Sequence, residues 1–276
     1  MTTHRVTRRT FTAVATGIAT GVFVAPLLRV SGQEATAVSG NATPVAVSLG
    51  FVSTRLRTVT SPEARVEVND AVRSQFVNRV KGLNGYAGYL LGDVIGQPTQ
   101  SLAIVVLEKA SQASAFNDAA GGFVASMADK VIAGKTQQWA GDVLIKRGPL
   151  ARGAAPLETP LVTPQASPVV SESHGYVAVR VHTSKPGTDP RDIIPKITSG
   201  FLPIVTGLAG FKGYLWYPID GGFVAISLFD SVASATASNE AAKGWAVTYV
   251  SAYTDGNPKI INADVVYADL PILASR

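Results

Sequence analysis

Two arginines stand at matching places in two copies of one pattern. Arg55 lies in Phe51-Val52-Ser53-Thr54-Arg55-Leu56-Arg57-Thr58, and Arg180 lies 125 positions later in Tyr176-Val177-Ala178-Val179-Arg180-Val181-His182-Thr183. Two aspartates, Asp142 and Asp264, recur at an offset of 122. These residue types support two chemistries. One is a structural ion pair in each copy, Arg55 with Asp142 and Arg180 with Asp264, because a partly buried guanidinium needs a partner. The other is bidentate binding of an anionic or carbonyl-bearing ligand. His182 replaces Arg57 in the second copy, and histidine titrates near neutrality, which suits acid–base work. No second catalytic group is fixed beside it, so His182 is only a candidate and no catalytic residue is assigned. Tyr86, Tyr89, Tyr214, Trp216 and Tyr217 cluster at corresponding places, where aromatic rings serve core packing or a planar ligand. The ligand-binding candidates are therefore Arg55, Arg57, Arg180, His182, Tyr89, Tyr214 and Trp216.

Composition removes several classes of chemistry. Cysteine is absent, which excludes disulfides, thiolate metal sites and cysteine nucleophiles. The three histidines, His4, His174 and His182, are too few for an all-histidine metal site once His4 falls in a targeting segment. No metal and no cofactor are expected. The net charge of +5 is partly N-terminal, and no basic run is interleaved with aromatics, so nucleic acid is not an expected partner. Nucleophile elbows, phosphate loops and paired catalytic carboxylates do not occur.

The elements that must position these residues are themselves written twice. Gly85-Tyr86-Ala87-Gly88-Tyr89-Leu90 returns as Gly210-Phe211-Lys212-Gly213-Tyr214-Leu215. Asn117-Asp118-Ala119-Ala120 with Gly122-Phe123 returns as Asn239-Glu240-Ala241-Ala242 with Gly244-Trp245. Alternation predicts strands over 47–58 and 176–183. Ser61-Pro62 and Asp189-Pro190 each supply a helix cap followed by proline at the first helical position. Val68, Val72, Phe76 and Val80 form an apolar stripe that Ile193, Ile197, Phe201 and Val205 reproduce. Pro203 falls inside this second helix, so a break is expected near 200–203. Strands at 85–92 and 102–107, a helix at 111–133 and a strand at 139–147 complete the first module. Their counterparts are 210–217, 222–229, 232–253 and 260–268.

Strand, helix, strand, strand, helix, strand is the ferredoxin-like βαββαβ unit. Its two helices cover one face of the sheet, and the other face must meet something. That second face is expected to carry Phe51, Arg55, Val105 and Leu107 in one module, and Tyr176, Phe223, Ala225 and Phe229 in the other. Two such apolar faces bury one another most simply as a closed α/β barrel. The fold class is thus α+β: two tandem ferredoxin-like modules packed sheet to sheet as a fused dimeric barrel. The expected boundaries are 46–148 and 175–270 for the modules, with a proline-punctuated linker at 149–174 and a tail at 271–276.

Taken together, the Gly-aromatic-x-Gly strands, the apolar strands ending in Glu108 and Asp230, and the Asn-x-Ala-Ala helices resemble the dimeric α/β-barrel superfamily. Within it, the likeness is to antibiotic-biosynthesis-monooxygenase-like modules. The resemblance implies a pseudo-dimer within a single chain, hence a monomer. Haem-degrading members pair a tryptophan, at the place of Trp245, with a later histidine and an asparagine on the first strand. Here the histidine position falls near Asp255 and the first strands carry arginine, so that triad is absent. Trp245 is accordingly expected to pack helix against sheet, as Phe123 would. The leading functional expectation is a non-catalytic exported protein that binds a small apolar or aromatic ligand or serves as an interaction module. The alternative is a cofactor-independent monooxygenase-like enzyme acting on an aromatic or polyketide-like substrate.

Residues 1–32 read as an export signal. Thr7-Arg8-Arg9-Thr10-Phe11 resembles the twin-arginine motif, and a diluted apolar run over 13–28 follows it. Residues 33–45 are small and polar, a tether leaving no membrane span after cleavage. The expected destination is extracellular, periplasmic or cell-surface. Replacing Arg8 and Arg9 with lysine is expected to hold the protein in the cytoplasm. Fractionation that finds the double variant exported normally would remove the assignment.

Overall fold

Serine and aspartate caps start the helices where the sequence places them. The computed structural model describes residues 48–148 and 175–270; the export segment, tether, linker and tail lie outside the described residues. Strand β1 (Phe51–Thr58) leads into α1 (Pro62–Ala71), where Ser61 Oγ accepts from the Ala64 amide at 3.1 Å. A π segment at Val72–Phe76 joins α1 to α2 (Val77–Lys81). Then come β2 (Tyr86–Val94), β3 (Gln100–Leu107), α3 (Ala113–Ser126), β4 (Gln137–Asp142) and β5 (Ile145–Arg147). The second half repeats the order. Strand β6 (Gly175–Thr183) is followed by a 3-10 turn at Pro190–Ile193 capped by Asp189, whose Oδ1 accepts from the Arg191 amide at 2.8 Å. Next are α4 (Ile194–Lys196), a π segment at Ile197–Phe201 and α5 (Leu202–Thr206). Strands β7 (Phe211–Ile219) and β8 (Gly222–Phe229), helix α6 (Val232–Tyr249) and strand β9 (Lys259–Asp269) complete it.

The break expected at Pro203 is real, but proline is not its sole origin. The first half carries a π segment at the matching position with no proline nearby. In both copies the wide turn ends on a phenylalanine that packs on a sheet tyrosine: Phe76 on Tyr89 at 5.9 Å and Phe201 on Tyr214 at 5.4 Å. Pro203 follows the second π segment near the start of α5, where a missing amide proton costs little. Helix α3 is shorter than the sequence suggested. It stops at Met127, and Val131 instead bridges to Val59 beyond β1.

The nine strands run β4-β1-β3-β2-β9-β6-β8-β7-β5. Strands β4 and β5 are successive stretches of one chain segment, so the order closes on itself. The closure uses the last strand of each half. Strand β9 pairs with β6 in its own half and with β2 of the other. Strand β4 pairs with β1, and β5 then crosses to β7. At the crossing, the Val143 amide donates to Gly50 O at 2.8 Å and the Leu144 amide to Trp216 O at 3.0 Å. The repeated glycines serve the entry to β2 and β7. Gly85 and Gly210 have φ of +79° and +76°, a left-handed turn that glycine adopts without strain.

The two faces of each sheet are the reverse of the sequence expectation. Val52, Leu56, Leu90, Ile104 and Val106 meet Val177, Val179, Leu215, Val224 and Ile226 inside the barrel. Thr54 Oγ1 there accepts the Tyr217 hydroxyl at 2.8 Å. Val105 and Leu107 instead pack under the first half's helices with Phe51 against them; Tyr176, Phe223, Ala225 and Phe229 pack under those of the second. Both faces are apolar, so apolarity did not separate them. Branched aliphatic side chains fill most of the closed interior, whereas most of the rings and Arg55, Arg57 and Arg180 lie on the helix-covered faces.

Gly141 marks the tightest approach at the seam. A Cβ there would stand 2.2 Å from the backbone oxygen of Pro218. Gly141→Ala is expected to destabilise the fold by about 1–3 kcal/mol, because β4 cannot retreat without breaking its ladder. Gly121→Ala, on open helix surface, is expected to be neutral or stabilising by up to about 1 kcal/mol. Urea melts giving equal midpoints for the two variants would contradict this closure.

Candidate functional site

Arg180, His182 and Tyr214 come together on the helix-covered face of the second half, beneath a cleft of about 720 Å³. Ile193, Ile197, Phe201, Phe223, Trp245 and Val250 supply its apolar walls. Lys185, Lys243 and Asp255 stand at its exposed edge. Alternation along β6 points Arg180 and His182 to this face, and α6 brings Asn239 over them.

The Arg180 guanidinium donates to Asn239 Oδ1 through Nη2 and reaches Ser227 Oγ at 3.5 Å through Nη1. Burial pulls it down from its usual range, but arginine remains charged. No carboxylate lies within ion-pair distance of it among the described residues. His182 stacks on Phe223 with ring centres 4.4 Å apart. Burial, and then the neighbouring Arg180 charge, lower its pKa to about 4, and its Nδ1 has no hydrogen-bond partner among the described residues. His182 is therefore neutral at ordinary pH. Burial also pushes the Tyr214 hydroxyl up, against the opposing pull of Arg180, so it stays protonated.

The expected ion pairs do not form. Arg55 lies opposite Gln138 on β4, while Asp142 lies opposite Phe51. Arg180 lies opposite Ile260 on β9, while Asp264 lies opposite Tyr176. In each half the acid is four residues from the arginine's partner, about 13 Å along the strand. The partners are the recurring asparagines: Arg55 Nη2 donates to Asn117 Oδ1 as Arg180 does to Asn239. Asn117 and Asn239 recur in step with the arginines, which is the signal that could have named them.

The remaining candidates divide between the halves. Trp216 is fully buried beneath Phe223, 5.4 Å away, and does not line the cleft. Tyr217 points into the barrel, and Tyr86 donates to Asp269 Oδ2 at 3.2 Å. Arg55, Arg57 and Tyr89 lie in the first half's own helix–sheet layer. There Phe76, Phe116 and Phe123 pack together, with ring centres 5.7 and 5.1 Å from Phe76, and Arg55 sits 5.0 Å over Phe116. The residue matching Phe116 in the second half is Ser238, which removes one of the filling rings. Trp245 packs on Phe201 at 5.2 Å, as expected of a helix–sheet contact, and also forms cleft wall. Among the described residues, no group of three or more His, Asp or Glu side chains could hold a metal, and no helix is long and apolar enough to cross a membrane.

Solved structures share this architecture. The fold is an α+β barrel of two ferredoxin-like halves. A protein from Fusobacterium nucleatum subsp. nucleatum named a "putative monooxygenase" superposes with a TM-score of 0.59 at 11% identity, over 81% of this chain and 95% of its own. One of the same description from Lactobacillus acidophilus gives 0.58 at 7% identity, over 80% and 96%. An anthrone oxidase-like protein gives 0.55 at 15% identity, over 81% and 94%. At these identities the likeness is one of fold. No family model matches the chain, and no curated protein does.

The buried histidine gives a pH test. Unfolded, His182 binds a proton below about pH 6.5; folded, it does so only below about 4. Between these values the unfolded chain holds more protons, so stability falls as pH drops through that window. His182→Gln is expected to flatten this part of the stability–pH curve. Equal slopes in wild type and variant would show that His182 is not held neutral.

Proposed function

We propose that the second-half cleft binds a planar aromatic molecule whose anionic or carbonyl oxygen faces Arg180, in a protein exported by the twin-arginine route. The carrying observation is a half-buried guanidinium, with no carboxylate partner among the described residues, at the base of an apolar, ring-lined cleft. The volume of about 720 Å³ suits a molecule of two or three fused rings. Asn239 fixes one edge of the guanidinium and leaves other donors for the ligand. The closed sheet, whose edges are satisfied within one chain, supports a monomer.

A second reading, cofactor-independent oxygenation of such a ligand, is supported by His182. His182 lines the cleft beside Arg180 with an unpartnered Nδ1, so it is placed to hydrogen-bond a substrate oxygen, although a pKa lowered to about 4 makes it a weak base. Kinship of fold with proteins named for monooxygenase and anthrone oxidase activity points the same way.

Trp245 supplies a fluorescence reporter for binding. Anthracene-9-carboxylate is expected to quench it at lower concentration than anthracene, by about 10-fold or more, as a charged hydrogen bond of ~1.5–3 kcal/mol implies. Arg180→Gln should erase that preference, and Ala242→Phe should weaken both ligands by filling the cleft. Equal affinities in wild type would remove the assigned role of Arg180. Oxygen uptake with an anthrone, lost in His182→Gln, would support catalysis; no uptake by the wild type would leave binding alone.

A further inference from the structure

The first half buries a second arginine that has no counter-charge within ion-pair distance among the described residues. Arg57 is 3% exposed, and its Nε and Nη1 have no hydrogen-bond partner among the described residues. Arg55, two residues away on the same face of β1, is 8% exposed and bonds only the neutral Asn117. Near them are further buried and unpartnered polar atoms, the Tyr89 hydroxyl, Ser101 Oγ and Asn69 Oδ1. Ser101 lies directly opposite Arg57 on β3. The acid opposite Ser101 on β2, Asp93, is already engaged by Arg65 at 3.4 Å and by Asn69 at 2.6 Å.

A guanidinium keeps its proton in a folded protein, so burial cannot be relieved by neutralisation. Two like charges on one strand face, removed from water, raise the cost further. Each guanidinium is felt at Tyr89, whose hydroxyl burial nevertheless pushes up, so this group stays neutral and offers a proton rather than a charge. The surroundings are thus two guanidiniums, a phenol, a hydroxyl and the neutral amide oxygen of Asn69, and the one carboxylate beside them, Asp93, is taken up by Arg65 and Asn69. What these two guanidiniums lack among the described residues is a negative charge. Tyr89 is fully buried and Ser101 is 1% exposed, so a guest bound here would have to be small.

We propose that Arg55, Arg57, Tyr89 and Ser101 form a binding site for a small oxyanion of formate or bicarbonate size, separate from the second-half cleft. The halves have then taken different chemistry at the same place in the fold. Where the first has Arg57 opposite Ser101, the second has His182 stacked on Phe223, which provides a neutral ring surface instead.

The test is thermal melting of the purified protein in sodium formate, with ionic strength held constant by a bulky sulfonate. It is run in an Arg180→Gln background so that the second-half cleft has no guanidinium. A saturable rise in Tm is expected, about 5 °C at a hundredfold excess over the dissociation constant. Adding Arg57→Gln should abolish saturation. Should that variant not fold, Tyr89→Phe and Ser101→Ala decide the matter, each moving the half-saturating formate concentration several-fold higher. Saturation unchanged in these variants, or a Tm that climbs without saturating, would overturn the site. Phosphate saturating at a lower concentration than formate would overturn its assigned size. None of these outcomes depends on whether the second-half cleft binds an aromatic ligand.

Discussion

Hydrogen bonding between the two halves at their last strands is the constraint on which the remaining structure depends. A four-stranded ferredoxin-like sheet has two edges with unpaired amides and carbonyls, and an apolar face that two helices leave bare. Strand β9 reaches across to β2, and the segment from β4 into β5 reaches across to β7. The outer strands of the two halves are thereby joined, and the bare faces become a closed interior. Neither half could present this arrangement alone, because each takes an edge partner from the other.

Closure also decides where chemistry is possible. The barrel interior is packed with aliphatic side chains, its polar contact being the Tyr217–Thr54 hydrogen bond. The outer layers, under helices, hold the charged and aromatic groups. A ligand site between helix and sheet has walls from elements of a single half, so a change there need not disturb the seam. The π segments belong to the same layer, each bringing a phenylalanine onto a sheet tyrosine.

Much of the fold was legible because the sequence states it twice. Repeated strand alternation, caps and glycine-aromatic strands fix the order of elements, and two bare apolar faces require closure. The sense of the faces was not legible, since Val52 and Phe51 are both apolar and alternation alone does not say which is inside. Register was the second gap. Arg55 and Asp142 share a face, but hydrophobic pattern does not say how far two strands slide, and four residues separate their pairing positions. The cleft escaped for a related reason. It depends on one ring, Phe116, being replaced by Ser238, and on α6 overhanging β6, which no local pattern encodes.

Joining the halves in one polypeptide has an effect beyond stability. In an assembly of two identical chains, a substitution that reshapes one pocket reshapes its mate, so both must tolerate it. Here the codon for position 57 is independent of the codon for position 182. Arginine in one place and histidine in the other are compatible within one molecule. Such independence lets one pocket stay tightly packed and charged while its counterpart opens, without any loss of the pairing that holds the barrel shut.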